Sequence, residues 1–344
     1  LKLGDVAAMF TAPAPEPDAA PVPTVADAAE AWFNVARAAW NANTEESYRA
    51  MYWHHILPAF GGRRVDAITQ AEAEAWWAAL CAKGFSPRHL SYLRQILTGI
   101  FRRAVRLGHL ATNPADAIAG KIRREDREVR EVAWLTEPEL TRFLAEAKAR
   151  EARHYPALLT LATTGIRQGE ALGLQVGDVD EARGKLSLRR AVRRYRVSSP
   201  KNGKPRSVDV PPSTMAVLRE WLGVVRAEAA VRGQEPLWLF PSDSGHILED
   251  RQLRPAMRRA LKAAAVTRPF RLHDLRHTYA SLAIQRGVPL EVVSRQLGHG
   301  SIAITFDVYG HLAPEATRRA ADAWEAIPTA PGRNPGATPE HPRS

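Results

Sequence analysis

The 344-residue chain carries 48 Lys and Arg against 37 Asp and Glu, a formal charge of +11, with 45% hydrophobic and 25% charged residues. This is ordinary globular composition, which excludes wholesale disorder and predicts two domains with apolar cores of their own. A single cysteine, Cys81, excludes an intrachain disulfide and a cysteine-rich metal site, and no apolar run reaches the roughly 18 residues of a membrane span, so a cytoplasmic protein without membrane attachment is expected.

In chain order, residues 1–23 hold Pro13, Pro15, Pro17, Pro21 and Pro23 among alanines and read as a disordered tail. Residues 24–115 read as a small helical domain. Trp32, Phe33, Ala36 and Trp40 recur at three- and four-residue spacing as one apolar stripe, and Thr44 precedes a run carrying Tyr48, Met51, Tyr52, His55 and Ile56. Thr69 with Glu72 forms a capping box, and Ser86-Pro87 opens a further helix that Gly108 closes. Its surface carries Arg88, Arg94, Arg102, Arg103 and Arg106. Residues 116–132, charged from Lys121 to Arg130, read as a linker.

The second domain spans 133–327 and opens on a capping box, Thr136 with Glu139. Helices alternate with a β section between Gly184 and Val210, where Leu186 and Leu188, then Val208 and Val210, alternate with polar neighbours. The spacing predicts one antiparallel hairpin with Pro200-Lys201-Asn202-Gly203 between its strands. Residues 328–344, with Pro328, Pro331, Pro335, Pro339 and Pro342, read as a second disordered tail.

A basic excess favours a polyanion through phosphate neutralisation and counterion release, but net charge alone does not separate nucleic acid from a membrane surface. Placement is more informative. Ten basic residues and no acid lie between Arg183 and Arg206, and eight basic residues lie between Arg251 and Arg276 with only Asp274 against them. Two such runs predict a channel lined for phosphates.

Five short patterns lie in the same domain as these runs. Arg167 and Glu170, in Thr-Gly-Ile-Arg-Gln-Gly-Glu, stand three apart, the spacing of a shared helix face. Lys201 lies in the hairpin loop. His273 and Arg276 share a helix face and His277 lies one turn from His273, an arrangement that also resembles a two-histidine zinc helix, although the short Asp274 and the Arg276 cation suit zinc poorly. His299 follows Leu297-Gly298 at a helix end, and Tyr309 sits in Phe-Asp-Val-Tyr-Gly-His. Taken singly, each is equally a surface ion pair, a turn lysine, a histidine on a helix dipole or a half-buried tyrosine. Taken in order, they supply what metal-free phosphodiester transfer requires. Guanidiniums hold the non-bridging oxygens, a lysine protonates the leaving oxygen, histidines donate hydrogen bonds or relay a proton, and a tyrosine attacks phosphorus.

These motifs resemble those of the tyrosine recombinase (phage integrase) family, over about residues 24 to 325. Arg167 resembles the family's first catalytic arginine with Glu170 as its acidic companion, Lys201 the hairpin lysine with Lys204 as a near alternative, His273 and Arg276 the His-x-x-Arg pair, His299 the Leu-Gly-His histidine and Tyr309 the nucleophile. The resemblance implies a mainly α protein with a small antiparallel β-sheet, in which a helical, SAM-like core-binding domain and a mixed α/β catalytic domain clamp double-stranded DNA at a specific recombination site. It implies strand exchange through a 3′-phosphotyrosyl link with no cofactor, metal or ATP. His273 is then the base or an orienting group. A homo-tetramer on synapsed DNA is expected, together with an accessory DNA-bending or directionality protein. Ala316, Ala320, Ala323, Trp324 and Ile327 would line a last helix that either packs on its own domain or is exchanged between neighbours. A type IB topoisomerase-like nicking and closing enzyme, or an inactive DNA-binding regulator of the same fold, are the alternatives.

Overall fold

A computed structural model describes residues 21–118, 132–199, 205–312 and Asp322, and the chain divides into two units, Leu1–Arg130 and Glu131–Ser344. Both Pro-rich tails except residues 21–23, most of the expected linker, Lys201, Lys204 and the expected last helix apart from Asp322 lie outside the described residues.

The first unit is helical throughout its described elements. Helix α1 (Val25–Ala36) starts at Thr24, whose N–H donates to Asp27 Oδ2 at 3.1 Å while Asp27 N–H donates to Thr24 Oγ1 at 3.2 Å. The Trp32 to Trp40 stripe is not one helix. A 3₁₀ turn at Arg37–Ala39 ends α1 and folds Trp40 back, so that its ring stands 5.2 Å from Trp32 and 6.2 Å from Phe33. Helix α2 (Ala42–Met51) begins before Thr44, because Asn41 Oδ1 accepts the Thr44 N–H at 2.9 Å and is the cap. It continues through a π turn at Tyr52–Ile56 into α3 (Leu57–Phe60). Helix α4 (Gln70–Ala82) starts on the Thr69–Glu72 box. Helix α5 (Pro87–Arg106) is capped by Ser86 and buries Leu93, Ile96, Leu97, Ile100 and Phe101 completely, each such side chain being worth about 1.5–3 kcal/mol. Gly99 lets α1 approach α5, since a Cβ there would lie 2.6 Å from Trp32 Cε2.

The second unit packs helices α6 (Glu137–Arg150), α7 (Tyr155–Thr164), α8 (Gln168–Leu172), α9 (Pro212–Val231) and α10 (Asp250–Ala263) around a small sheet, with α11 (Asp274–Gln285), α12 (Leu290–Leu297) and α13 (Ile302–Tyr309) following. Strands β1 (Val179–Asp180), β2 (Lys185–Leu188) and β5 (Arg206–Asp209) form an antiparallel sheet in the order β1-β2-β5, with Leu186 opposite Val208. Leu186, Leu188 and Val208 point into a core that includes Phe143, Leu158, Leu218, Phe240 and Leu275. A separate apolar cluster of Ala280, Ile284, Val293, Leu297 and Tyr309 ties α11, α12 and α13 together.

The expected single hairpin is two. Between β2 and β5 a second hairpin, β3 (Ala191–Arg193) with β4 (Arg196–Ser198), turns at Arg194 and Tyr195, whose φ values are 49° and 61°. Two positive φ values make this a primed turn, for which glycine and asparagine are the usual signal; neither is present. The turn is held from outside. The Tyr195 N–H donates to the buried carboxylate of Glu249 just before α10, and Arg251 Nη2 donates to Tyr195 Oη at 2.6 Å.

Candidate active site

Helix α7 ends at Gly165, φ 67°, where a Cβ would strike Tyr279 Cδ1 at 2.4 Å and Leu297 Cδ2 at 2.9 Å. Only glycine fits both the left-handed backbone and the space. Two residues on, Arg167 caps α8 with an extended backbone, φ −68° and ψ 145°. Its N–H donates to Glu170 Oε2 at 2.9 Å, its Nη1 to Glu170 Oε1 at 3.2 Å and its Nη2 to the Gly298 carbonyl at 3.0 Å.

Glu170, 1% exposed, is the hub. Arg206 on β5 grips it from the other side, Nη1 to Oε1 at 2.7 Å and Nη2 to Oε2 at 2.9 Å, and Nη2 also donates to the Leu297 carbonyl at 3.1 Å. Burial pushes the Glu170 carboxyl up, but hydrogen bonds and charge from Arg206, then the Arg167 N–H, leave it below its ordinary value. It is therefore an anion that fixes two cations.

The start of α11 supplies His273, Arg276 and His277. Arg276 is 3% exposed and donates Nη1 to the Gly165 carbonyl at 2.8 Å, which ties α11 to the turn bearing Arg167. Burial, and then the Arg167 charge, lower its pKa. A buried guanidinium with a neighbouring guanidinium and few partners is a receptor for an anion. His273 stands at the exposed rim; protein packed on its other side and the Arg276 charge lower its pKa. Asp274 beneath it accepts from the Arg271 N–H at 2.7 Å and from Arg271 Nη2 at 3.0 Å.

Helix α12 ends at Gly298, φ 66°, which packs on the Arg206 guanidinium so closely that a Cβ would lie 2.5 Å from Cζ. The next residue, His299, pairs its Nδ1 with Thr305 Oγ1 at 2.8 Å. Burial, then Arg276 and Arg167, lower the His299 pKa to about 4, so its imidazole is neutral at pH 7.

Tyr309 ends α13, 1% exposed, and burial raises its phenol to about 12 against the opposing pull of Arg276. Its Oη is 2.5 Å from His277 Nδ1. The imidazole that touches the phenol is thus His277, on the turn after His273, which the sequence singled out as base or orienting group. Burial and His273 lower the His277 pKa to about 4, so this ring too is neutral at pH 7.

The structure brings Arg167, Glu170, Arg276, His299 and Tyr309 into one linked neighbourhood, with His273 at its rim; Lys201 lies outside the described residues. Sequence reasoning missed two members. In the sequence Arg206 is one more cation in a run, and His277 stands out only in the zinc-like pattern, although its place four residues after His273 on one helix is legible.

The predicted phosphate-lined channel is corrected in part at the 183–206 run. Of its eight described cations, four pair closely with acids outside the run: Arg183 with Asp180 at 3.1 Å, Lys185 with Asp209 at 3.0 Å, Arg190 with Asp178 at 2.5 Å, and Arg206 with Glu170. Arg189 stands 3.9 Å from Asp178. A cavity of about 1040 Å³ beside Arg167 and His273 is also lined by Arg193, Arg194, Arg254, Arg258 and Arg271. Glu249 and Asp250 also line it, and each holds a local bond, to Tyr195 and to Arg254.

The chain matches the phage integrase family over residues 133–316 and the phage integrase central domain over residues 25–121. It is 28% identical over 327 residues to a tyrosine recombinase XerC-like protein of Caldanaerobacter subterraneus subsp. tengcongensis, covering 87% of this chain and 82% of that one. Its fold is similar to that of the Tn1549 transposon integrase in complex with a circular intermediate DNA, with a TM-score of 0.69, 17% identity, and coverage of 88% and 99%. It is also similar to the lambda integrase tetramer bound to a Holliday junction, with a TM-score of 0.63, 18% identity, and coverage of 88% and 84%.

Proposed function

The chain belongs to the phage integrase family, and from that premise we propose that it is a site-specific tyrosine recombinase that cuts and rejoins double-stranded DNA through a covalent 3′-phosphotyrosyl intermediate. In this reading residues 24–115 are the core-binding domain and residues 133–327 the catalytic domain. Arg167, Arg276 and His299 hold the scissile phosphate, with His273 orienting it at the rim. Lys201 protonates the leaving 5′ oxygen, and Tyr309 is the nucleophile. Glu170 touches no reacting atom and keeps Arg167 in place. The phosphotyrosyl bond conserves the energy of the broken phosphodiester, so rejoining consumes no ATP.

The observation that supports this most directly is the cross-tie between remote segments. Arg276 binds the carbonyl two residues before Arg167, and Arg167 binds the carbonyl just before His299, so three motifs more than a hundred residues apart at their extremes share one anion-seeking pocket. Two guanidiniums there match the two non-bridging oxygens whose charge grows as phosphorus becomes pentavalent. Assembly as a tetramer on paired sites, as in the lambda integrase complex with a Holliday junction, belongs to the same proposal, as does a cytoplasmic location.

The test is a nicked suicide DNA substrate carrying the recombination site. The wild-type chain should form a denaturant-stable adduct and Tyr309→Phe none. An adduct on Tyr309→Phe would assign the nucleophile elsewhere, and a wild-type chain that binds the site without forming an adduct would make it a regulator.

A further inference from the structure

We propose that His277 is a catalytic residue: it takes the Tyr309 proton as the phenolic oxygen attacks phosphorus and returns it on rejoining. The inference rests on the recombinase reading above and adds the proton acceptor that reading leaves open. Three observations carry it. His277 Nδ1 is 2.5 Å from Tyr309 Oη, inside the reach a general base requires. The ring stands edge-on to His273, with centroids 5.1 Å apart, which fences it between the rim histidine and the phenol. Both partners are neutral at pH 7, a phenol whose pKa burial raises beside an imidazole whose pKa burial lowers, so the proton rests on oxygen until charge develops.

The step balances. The Oη–phosphorus bond forms as the bond from phosphorus to the 5′ oxygen breaks, the phenolic proton passes to His277 Nδ1, and the leaving oxygen takes a proton from Lys201. Rejoining reverses each transfer. An imidazole whose pKa is low is a weak base in the free chain, but the groups around it are His273, Asp274, Arg271, Arg276, His299 and Tyr309, and a dianionic pentavalent phosphorus held by Arg276 raises the proton affinity of a histidine at this place. His277 follows Arg276 directly on α11, so base and phosphate-holding cation ride on one rigid helix.

The test is single-turnover cleavage of the suicide substrate by His277→Asn, which keeps a polar atom near Nδ1 but accepts no proton, with His277→Gln as the second variant and circular dichroism and site binding as checks on folding. Cleavage should fall about 100-fold, and the acid limb of the wild-type pH profile should flatten in His277→Asn while persisting in His273→Asn. A substrate with sulfur in place of the 5′ bridging oxygen, which needs no proton to leave, should not restore the rate. Unchanged cleavage overturns the proposal. So does faster cleavage, which would make the contact a latch, rescue by the sulfur substrate, or loss of the acid limb in His273→Asn instead. Wild-type chain that forms no adduct overturns the recombinase reading and this inference with it; adduct formation with any of the other outcomes overturns this inference alone.

Discussion

Arg206 and Glu170 meet in a two-pronged ion pair, with N–O distances of 2.7 and 2.9 Å, at a carboxylate that is 1% exposed and also holds Arg167. The strand that follows the Lys201 segment is thereby bolted to the turn that carries Arg167. Removing one partner of a buried pair is costly because the other charge stays behind, about 3–5 kcal/mol. Arg167 still serves Glu170, so Arg206→Ala should lose about 3 kcal/mol, the low end of that range. Arg206→Lys should lose less, since it retains charge but not the fork. Urea unfolding of the purified chain reads both, and no difference between them would show that geometry at Glu170 is unimportant.

Acid should unfold the second unit early. His277 and His299 have folded pKa values lowered to about 4 against an ordinary 6.5. Between these values the unfolded chain binds protons that the folded chain refuses, so stability is complete above pH 6.5 and falls as pH drops toward 4. Glu170, with its folded value depressed, adds a second loss as pH falls below the ordinary carboxyl range toward that lower value. The melting temperature should therefore decline steadily from pH 7 to pH 4.5, and His299→Asn should make that decline shallower.

Gly298→Ala tests the fit under Arg206. At φ 66° an alanine carries a strain of about 1–2 kcal/mol, and its Cβ would lie 2.5 Å from Arg206 Cζ, forcing the guanidinium off Glu170. A stability loss larger than the strain alone and a marked fall in single-turnover cleavage are expected. A loss confined to the strain value would mean that Arg206 yields freely.

In the helical unit, Gly99→Ala should be felt just as locally. The new methyl would lie 2.6 Å from Trp32 Cε2, and overpacking of this kind costs about 1–3 kcal/mol. Urea unfolding reads the loss, and tryptophan fluorescence reports it through Trp32 together with the tryptophans of both units. DNA cleavage measured at saturating DNA should change far less than stability.

What could be read without coordinates was local or pattern-based. The Thr69–Glu72 and Thr136–Glu139 pairs were legible because a capping box is written in four consecutive residues. The alternation of Leu186 and Leu188 against Val208 gave the β2–β5 pairing for the same reason. The inner hairpin was hidden because Arg194 and Tyr195 take positive φ with none of the residues that usually announce it, held instead by Glu249 and Arg251 from over fifty residues away. Arg206 was hidden by its own neighbours. In a run of ten cations nothing marks the one whose partner is a buried acid 36 residues upstream. Helix α2 begins three residues earlier than a Thr44 cap implies, because asparagine and threonine both suit a cap and only the backbone decides between them.

The burial of Tyr309 has a consequence for an enzyme of this class. With 1% of its surface open, the phenol that the proposed reaction uses is covered by its own domain, so chance contact between a DNA backbone and the outer surface does not reach it.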